Sequence, residues 1–147
     1  MLVPLHIELT DAVLYYYRAK VERVVDGDTI IVEAIDVGFG LQMGRTQGHP
    51  RSLRVLGVDT PEIRGEERPQ GLAAKAYVDE RIKPEDEIII KTVEVDNFGR
   101  WLAHIWYAAS DGSGWRLLAQ DLLDDGHAEP SGPLDLIRPA SDSSSDG

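Results

Sequence analysis

Apolar and polar residues alternate in the first part of the chain with the period of two that half-buried strands show. Between Leu14 and Val25, apolar residues fall on odd-numbered positions, which predicts a strand; they are Tyr17, Ala19, Val21 and Val25. The sequence Asp26-Gly27-Asp28 has hairpin turn chemistry, and residues 29–35 continue as a strand rich in β-branched residues. Residues 51–58 predict a third strand.

Helical spacing occurs in the second half of the chain. Pro69 suits the first turn of a helix, and the apolar residues that follow at helical spacing are Ala73, Ala76 and Tyr77. Residues 87–95 and 101–107 flank a tight turn and predict two more strands, paired as a hairpin. A second apolar stripe predicts a last helix; it consists of Trp115, Leu118, Ala119 and Leu122.

Three strands, a helix, two strands and a second helix predict a β-rich α+β fold. We expect a five-stranded Greek-key barrel of the OB type with two short helices, an architecture that often binds nucleic acids. The barrel domain is assigned to residues 1–129, with residues 36–50 as a long loop or a loose hairpin extension. Residues 130–147 are rich in Ser, Gly, Pro and Asp and predict an acidic, disordered tail.

The net negative charge of the chain argues against strong binding of nucleic acid by such a barrel. The 147 residues include 15 Lys and Arg against 26 Asp and Glu, a formal net charge of −11, whereas nucleic-acid partners usually select basic surfaces. Residues 121–147 contain seven acidic residues and one basic residue. Over half of the excess negative charge therefore lies outside the motifs described below.

Composition also bears on location and redox chemistry. The sequence has no cysteine, which excludes a disulfide framework and a thiolate nucleophile. We see neither a signal peptide nor a membrane-spanning stretch, and expect a cytoplasmic protein with no membrane partner, monomeric by default.

Four short motifs carry the candidate chemistry, and together they supply acidic oxygens and guanidinium groups. They are Asp26-Gly27-Asp28-Thr29, Leu53-Arg54-Val55-Leu56, Asp59-Thr60-Pro61-Glu62 and Asp96-Asn97-Phe98-Gly99-Arg100. Acidic oxygens suit a hard cation, and the planar fork of arginine suits phosphate oxygens. Because a phosphodiester repels nucleophiles and gains charge in its transition state, cations must be fixed beside it. The motifs therefore predict a metal-assisted phosphodiesterase.

Other residues of chemical interest have simpler interpretations. Asp26 is interpreted as a turn former rather than a ligand, whereas Arg54, between core-like neighbours, is interpreted as functional. The four histidines have no ligand-like spacing and are interpreted as structural or solvent-facing. The three tryptophans are expected to fill the barrel and its cap rather than to stack on bases; they are Trp101, Trp106 and Trp115.

The order of the motifs, DGDT, then R-x-L-G-V-D-T-P-E, then D-N-F-G-R, resembles the staphylococcal nuclease family from about Tyr17 to Gly126. By this resemblance, Asp28 and Asp59 are carboxylate ligands of Ca²⁺, and Thr60 adds its backbone carbonyl. Arg54 and Arg100 would grip the scissile phosphate from two sides. Glu62 would position or deprotonate the attacking water.

The resemblance implies a Ca²⁺-dependent nuclease that cleaves DNA, RNA or both with low sequence specificity and leaves 3′-phosphates. A non-catalytic nucleic-acid or protein-binding module of the same fold is the alternative, and the presence of all six site residues argues against it. A scaffold that uses residues 36–50 is a third hypothesis.

Two departures from the family pattern affect substrate contacts. The hairpin turn has Asn97 and Phe98 where the family has a lysine and a tyrosine, so a phenol that could contact phosphate is missing. After Gly126, residues 127–130 replace the tyrosine-bearing segment that stacks a base, and an acidic tail replaces the long C-terminal helix. The resemblance therefore does not extend to base preference.

Overall fold

The computed structural model describes residues 15–44 and 51–131. Nine strands occur in these residues: β1 (Tyr16–Asp26), β2 (Thr29–Gly38), β3 (Leu41–Gly44), β4 (Ser52–Val55), β5 (Val58–Asp59), β6 (Glu87–Val95), β7 (Trp101–Ala108), β8 (Trp115–Leu117) and β9 (Glu129–Pro130). The two α-helices are α1 (Arg68–Arg81), which follows a 3₁₀ turn at Gly65–Glu67, and α2 (Leu118–Asp124).

Five of the strands close into a barrel. β1 pairs with β2 and β6, β6 pairs with β7, and β2 pairs with β4, all antiparallel. The circle is completed by the parallel pair of β4 and β7, in which Arg54 lies opposite Leu102. The predicted five-stranded OB-type barrel with two helices is therefore confirmed.

The barrel interior is apolar and is capped by the two helices. Its fully buried side chains come from every barrel strand and from α2; the largest include Ile30, Leu53, Ile88, Ile90, Ile105, Leu118 and Leu122. In β1 the pairing register shifts between Val21 and Arg23, which turns Val24 into the core instead of the predicted Val25. A bulge of this kind breaks the strict alternation on which the prediction rested.

The helical predictions were correct in place and partly wrong in detail. In α1 the buried face consists of Gly71, Ala74, Tyr77 and Val78, whereas Ala73 and Ala76 face solvent. The second helix begins at Leu118, and Trp115 lies in β8 with 46% of its surface exposed. Trp115 therefore does not fill the cap, while Trp101 and Trp106 are half-buried.

Residues 36–44 form a hairpin extension of the barrel. β2 continues to Gly38 and turns through Phe39, which is fully exposed, into β3. Residues 45–50 lie outside the described residues, as do residues 132–147, which are most of the predicted tail of residues 130–147. Among the helices of the described part, none is long and apolar enough to cross a membrane.

Candidate functional site

All six predicted site residues line one open cleft of about 590 Å³, hereafter the cleft. Four parts of the chain meet there: the β1–β2 turn, the segment from β4 to the 3₁₀ turn, the β6–β7 hairpin and the residues after α2. The lining consists of Asp26, Asp28, Arg54, Asp59, Thr60, Pro61, Glu62, Glu67, Arg100, Gly126, His127, Ala128 and Glu129.

Asp28 is held by hydrogen bonds to both of its carboxylate oxygens. Oδ1 accepts a hydrogen bond from the Thr29 hydroxyl at 3.2 Å, and Oδ2 accepts one from the Thr60 backbone N–H at 3.1 Å. The Asp28 backbone N–H donates to Asp26 Oδ1 at 3.0 Å, which supports the turn-forming interpretation of Asp26. Asp28 and the Asp59–Thr60 segment are thus joined directly.

The β1–β2 turn packs against α1 through Gly27. A Cβ atom on Gly27 would lie 2.8 Å from Ala74 Cβ and 2.8 Å from Thr60 Cγ2, which is closer than real Cβ atoms approach. A glycine between the two aspartates is therefore needed because α1 and Thr60 approach so closely. Both acidic segments of the cleft rest on the same helix.

Arg54 lies between the two acidic segments. Its Nη1 donates to the carbonyl oxygens of Val55 and Val58, each at 2.8 Å, and its Nη2 donates to Asp59 Oδ1. The distance from Nη1 to Asp28 Oδ2 is 3.4 Å. The backbone carbonyls fix the guanidinium and aim it at the cleft.

Arg100 is fixed by Asp96 at the base of the β6–β7 turn. Asp96 Oδ2 accepts from Arg100 Nε at 2.8 Å, while Oδ1 accepts from the backbone N–H groups of Phe98 and Arg100. Gly99 has a φ of +77°, the left-handed conformation that a glycine adopts without strain. From the sequence, Asp96 is identified only as the first residue of the turn motif. A carboxylate four residues before Arg100 is the sequence signal for its role as the partner of that arginine.

Glu62 follows β5 and is exposed to solvent in the cleft. Its backbone N–H donates to Glu67 Oε2 at 2.9 Å. Glu67 and Glu129 also line the cleft, and neither was predicted. Glu129 reaches the cleft because β9 pairs with β5, placing Glu129 opposite Asp59.

Negative charge accumulates beside Arg54. Burial and the neighbouring Asp28 carboxylate raise the pKa of Asp26 to about 6. Burial opposes ionisation of Asp28 as well, but the hydrogen bonds from Asp26 and Thr60 and the charge of Arg54 keep the pKa of Asp28 below its usual range. The two aspartates therefore compete for ionisation in one site.

The oxygen donors in the cleft match the chemistry of a hard cation. Within residues 15–44 and 51–131, no three His, Asp or Glu side chains are already grouped as a metal cage. Asp28 and Asp59 nevertheless both approach Arg54, and the Asp28 carboxylate accepts a hydrogen bond from the Thr60 backbone N–H. Two carboxylates with a backbone carbonyl form an all-oxygen set of the kind that Ca²⁺ prefers.

A second polar cluster shares no lining residue with the cleft; we call it the Asp121 cluster. Asp121 is buried, and its Oδ1 and Oδ2 accept from Arg116 at 2.6 and 2.9 Å. Oδ2 also accepts from the Tyr107 hydroxyl at 2.5 Å, and the Asp121 backbone carbonyl accepts from the Tyr77 hydroxyl at 3.2 Å. These bonds connect α2 with β7, β8 and α1.

Comparison with known proteins identifies the family to which these residues belong. A sequence model of the family described as Staphylococcal nuclease homologue matches residues 52–132, which include five of the six site residues. Asp28 lies outside that match and reaches the site through the β1–β2 turn.

Two relatives share parts of the chain. An uncharacterized protein of Methanocaldococcus jannaschii is 31% identical over 113 residues, covering 62% of this chain and 49% of the relative. A thermonuclease of Staphylococcus hyicus is 33% identical over 91 residues, covering 59% of this chain and 47% of the relative. The chain thus spans about half the length of these relatives. With its family match over more than half of the residues, the chain belongs to the staphylococcal nuclease homologue family.

Proposed function

We propose that the chain is a Ca²⁺-dependent nuclease that hydrolyses phosphodiester bonds of DNA, RNA or both with low sequence specificity. The observation that carries the proposal is the convergence of two fixed arginines, Arg54 and Arg100, on a cleft that also contains Asp28, Asp59 and Glu62. The thermonuclease relative supports the same reaction class.

Each side chain has a distinct part in the proposed reaction. Arg54 and Arg100 bind the non-bridging phosphate oxygens and stabilise the charge that develops on them. Glu62 positions the attacking water or takes its proton. As water oxygen bonds to phosphorus, the bond from phosphorus to the 5′-oxygen breaks, that oxygen acquires a proton, and the other product carries a 3′-phosphate.

Asp28, Asp59 and the Thr60 carbonyl are the proposed ligands of Ca²⁺. The bound ion would supply positive charge that neutralises the phosphate and favours attack. Burial and the neighbouring Asp28 carboxylate together raise the pKa of Asp26 to about 6, and the bound ion would relieve the repulsion from Asp28. A cytoplasmic location and action as a monomer remain predictions from the sequence.

The test is incubation of the chain with single-stranded DNA, duplex DNA and RNA, in Ca²⁺, in Zn²⁺ and in excess EDTA. We expect cleavage in Ca²⁺, weaker cleavage in Zn²⁺ because no soft ligand is proposed, and none in EDTA. Products should resist extension by a polymerase until a phosphatase removes the 3′-phosphate.

The Glu62→Gln variant is the control for contaminating nucleases, since it keeps the shape of the side chain and cannot accept the proton. Its turnover should fall while Ca²⁺ binding persists. Undiminished cleavage in EDTA would contradict the metal assignment. Binding of nucleic acid with no cleavage in any metal would instead favour the non-catalytic module.

A further inference from the structure

Glu62 lies on a short connection between β5 and the 3₁₀ turn, and its side chain is exposed. A side chain in such a place has many orientations unless the backbone that carries it is fixed. General-base chemistry needs a position accurate to a fraction of an ångström. The contacts that hold the Glu62 backbone therefore determine how accurately its carboxylate is placed.

The backbone N–H of Glu62 is fixed by Glu67. Glu67 Oε2 accepts this hydrogen bond at 2.9 Å. Glu67 is also the N-cap residue of α1, but its side chain makes no capping bond to the helix. The carboxylate is thus used for Glu62 rather than for a free N–H group of the helix, which is the usual partner of an N-cap side chain.

The carbonyl side of Glu62 is fixed by Gly71, on the buried face of α1. A Cβ atom on Gly71 would lie 2.1 Å from the Glu62 carbonyl oxygen, 2.5 Å from its carbonyl carbon and 2.8 Å from the Ile63 nitrogen. These atoms are backbone, so they cannot move away as the end of a side chain could. Only glycine allows the helix to touch the peptide group between Glu62 and Ile63.

We propose that Glu67 and Gly71 are positioning residues for Glu62, holding the two peptide groups on either side of its Cα. This role rests on the proposed function, in which Glu62 serves the attacking water. Neither residue contacts the substrate phosphate in this scheme. Their effect appears in turnover rather than in substrate or metal binding.

Three single variants of the full chain test the role: Glu67→Ala, Glu67→Gln and Gly71→Ala. Glu67→Ala should lower kcat for single-stranded DNA about 10-fold with little change in KM, since small misplacements of a catalytic group are costly. Glu67→Gln should recover most of the loss, because the amide oxygen can accept the same hydrogen bond. Gly71→Ala should lower kcat more, because the helix and the Glu62 segment must separate.

Glu66→Ala is the matched control, since Glu66 is an exposed residue of the same 3₁₀ turn and has no contact with Glu62 among the described hydrogen bonds. It should leave kcat unchanged.

A double-mutant cycle then separates a positioning role of Glu67 from an effect on stability. In a Glu62→Gln background, Glu67→Ala should reduce kcat little further, whereas a general loss of structure would reduce it again.

Hydrogen exchange of the Glu62 amide, followed by NMR, reports the contact without any cleavage assay. Exchange should be faster in Glu67→Ala than in the wild type and in Glu67→Gln. A wild-type chain that does not cleave nucleic acid would remove the proposed function and this role with it. If the wild type is active, any of three results would overturn the positioning role alone. These are full kcat in Glu67→Ala, no recovery of kcat in Glu67→Gln, or a loss of kcat in the double variant equal to the product of the two single losses.

Discussion

The cleft and the Asp121 cluster are both built from aspartates and arginines, but they differ in how completely these charges are paired. In the Asp121 cluster, one carboxylate receives the two-pronged contact of Arg116 and the hydroxyl of Tyr107. In the cleft, Arg54 is shared by Asp28 and Asp59, with Asp26 next to them.

The difference shows in the pKa values of the carboxyl groups. Although burial opposes it, Arg116 and Tyr107 keep the pKa of Asp121 below its usual range. In the cleft, burial and the Asp28 charge raise the pKa of Asp26 to about 6. The charge of a paired carboxylate is already compensated in the folded chain, whereas an excess of partly buried negative charge is stabilised by binding a cation. We infer that the Asp121 cluster serves stability and that the cleft serves ligand binding.

Replacing an arginine of the cleft with lysine should reduce turnover more than any other change proposed below. The same replacement in the Asp121 cluster serves as the comparison. Arg54→Lys and Arg100→Lys keep the charge but lose the planar fork, so kcat should fall on the order of 10²-fold or more, as for loss of a transition-state donor. The matched variant is Arg116→Lys in the Asp121 cluster. It should leave kcat unchanged and slightly lower the free energy of unfolding.

Steady-state kinetics on single-stranded DNA checks this prediction. If both lysine variants in the cleft stay within a few-fold of the wild type, the phosphate clamp is wrongly assigned. Loss of activity in Arg116→Lys at temperatures where it is folded would contradict the division between the two clusters.

His104 extends the comparison to a buried titratable group that has no acidic partner among the described residues. It is 3% exposed, and its Nδ1 has no hydrogen-bond partner among the described residues. Burial and the charge of Lys91 lower the pKa of His104 from 6.5 to about 4. Since the unfolded chain takes up this proton first, the free energy of unfolding should fall as pH falls from 6.5 toward 4.

The full loss is about 3 kcal/mol at roughly 1.4 kcal/mol per pKa unit. Urea unfolding at several pH values, for the wild type and His104→Leu, measures it. The difference between the two proteins should be constant above pH 6.5 and should shift in favour of the leucine variant below it. Parallel pH profiles would show that His104 titrates normally or is protonated without penalty.

The Asp121→Asn variant should have a smaller effect on stability and none on chemistry. It removes the charge that pairs with half-exposed Arg116 and weakens the acceptor for the buried Tyr107 hydroxyl. We expect the free energy of unfolding to fall by about 2 kcal/mol, the cost of weakening a partly buried charged hydrogen-bond network. Unfolding in urea gives the value, and a kcat near that of the wild type confirms that the cluster lies outside the site.

The sequence predicted the barrel well because its strands alternate and its turns carry distinctive residues. The exceptions have local causes. The bulge in β1 turned Val24 inward in place of Val25, and Trp115 belongs to a short strand that pairs with β7. Neither a bulge nor a three-residue strand leaves a periodic signal in sequence.

The candidate site was predictable where a motif names its residues. Arg54, Asp59 and Glu62 occur in one motif, and the structure brings Asp28 and Arg100 to the same cleft. Glu67 and Gly71 were not predicted, because their importance depends on which backbone atoms α1 touches. Such contacts between separate segments require the three-dimensional structure.

The most direct test of the cleft as a cation site is the effect of Ca²⁺ on the thermal unfolding of three proteins without substrate. A ligand that binds only the folded state stabilises it by about 2.7 kcal/mol at 100 times its dissociation constant. We predict that Ca²⁺ raises the Tm of the wild type and of Asp121→Asn by similar amounts, and does not raise the Tm of Asp28→Asn. An equal rise in Asp28→Asn, or a rise lost only in Asp121→Asn, would contradict the assignment of the cleft as the cation site.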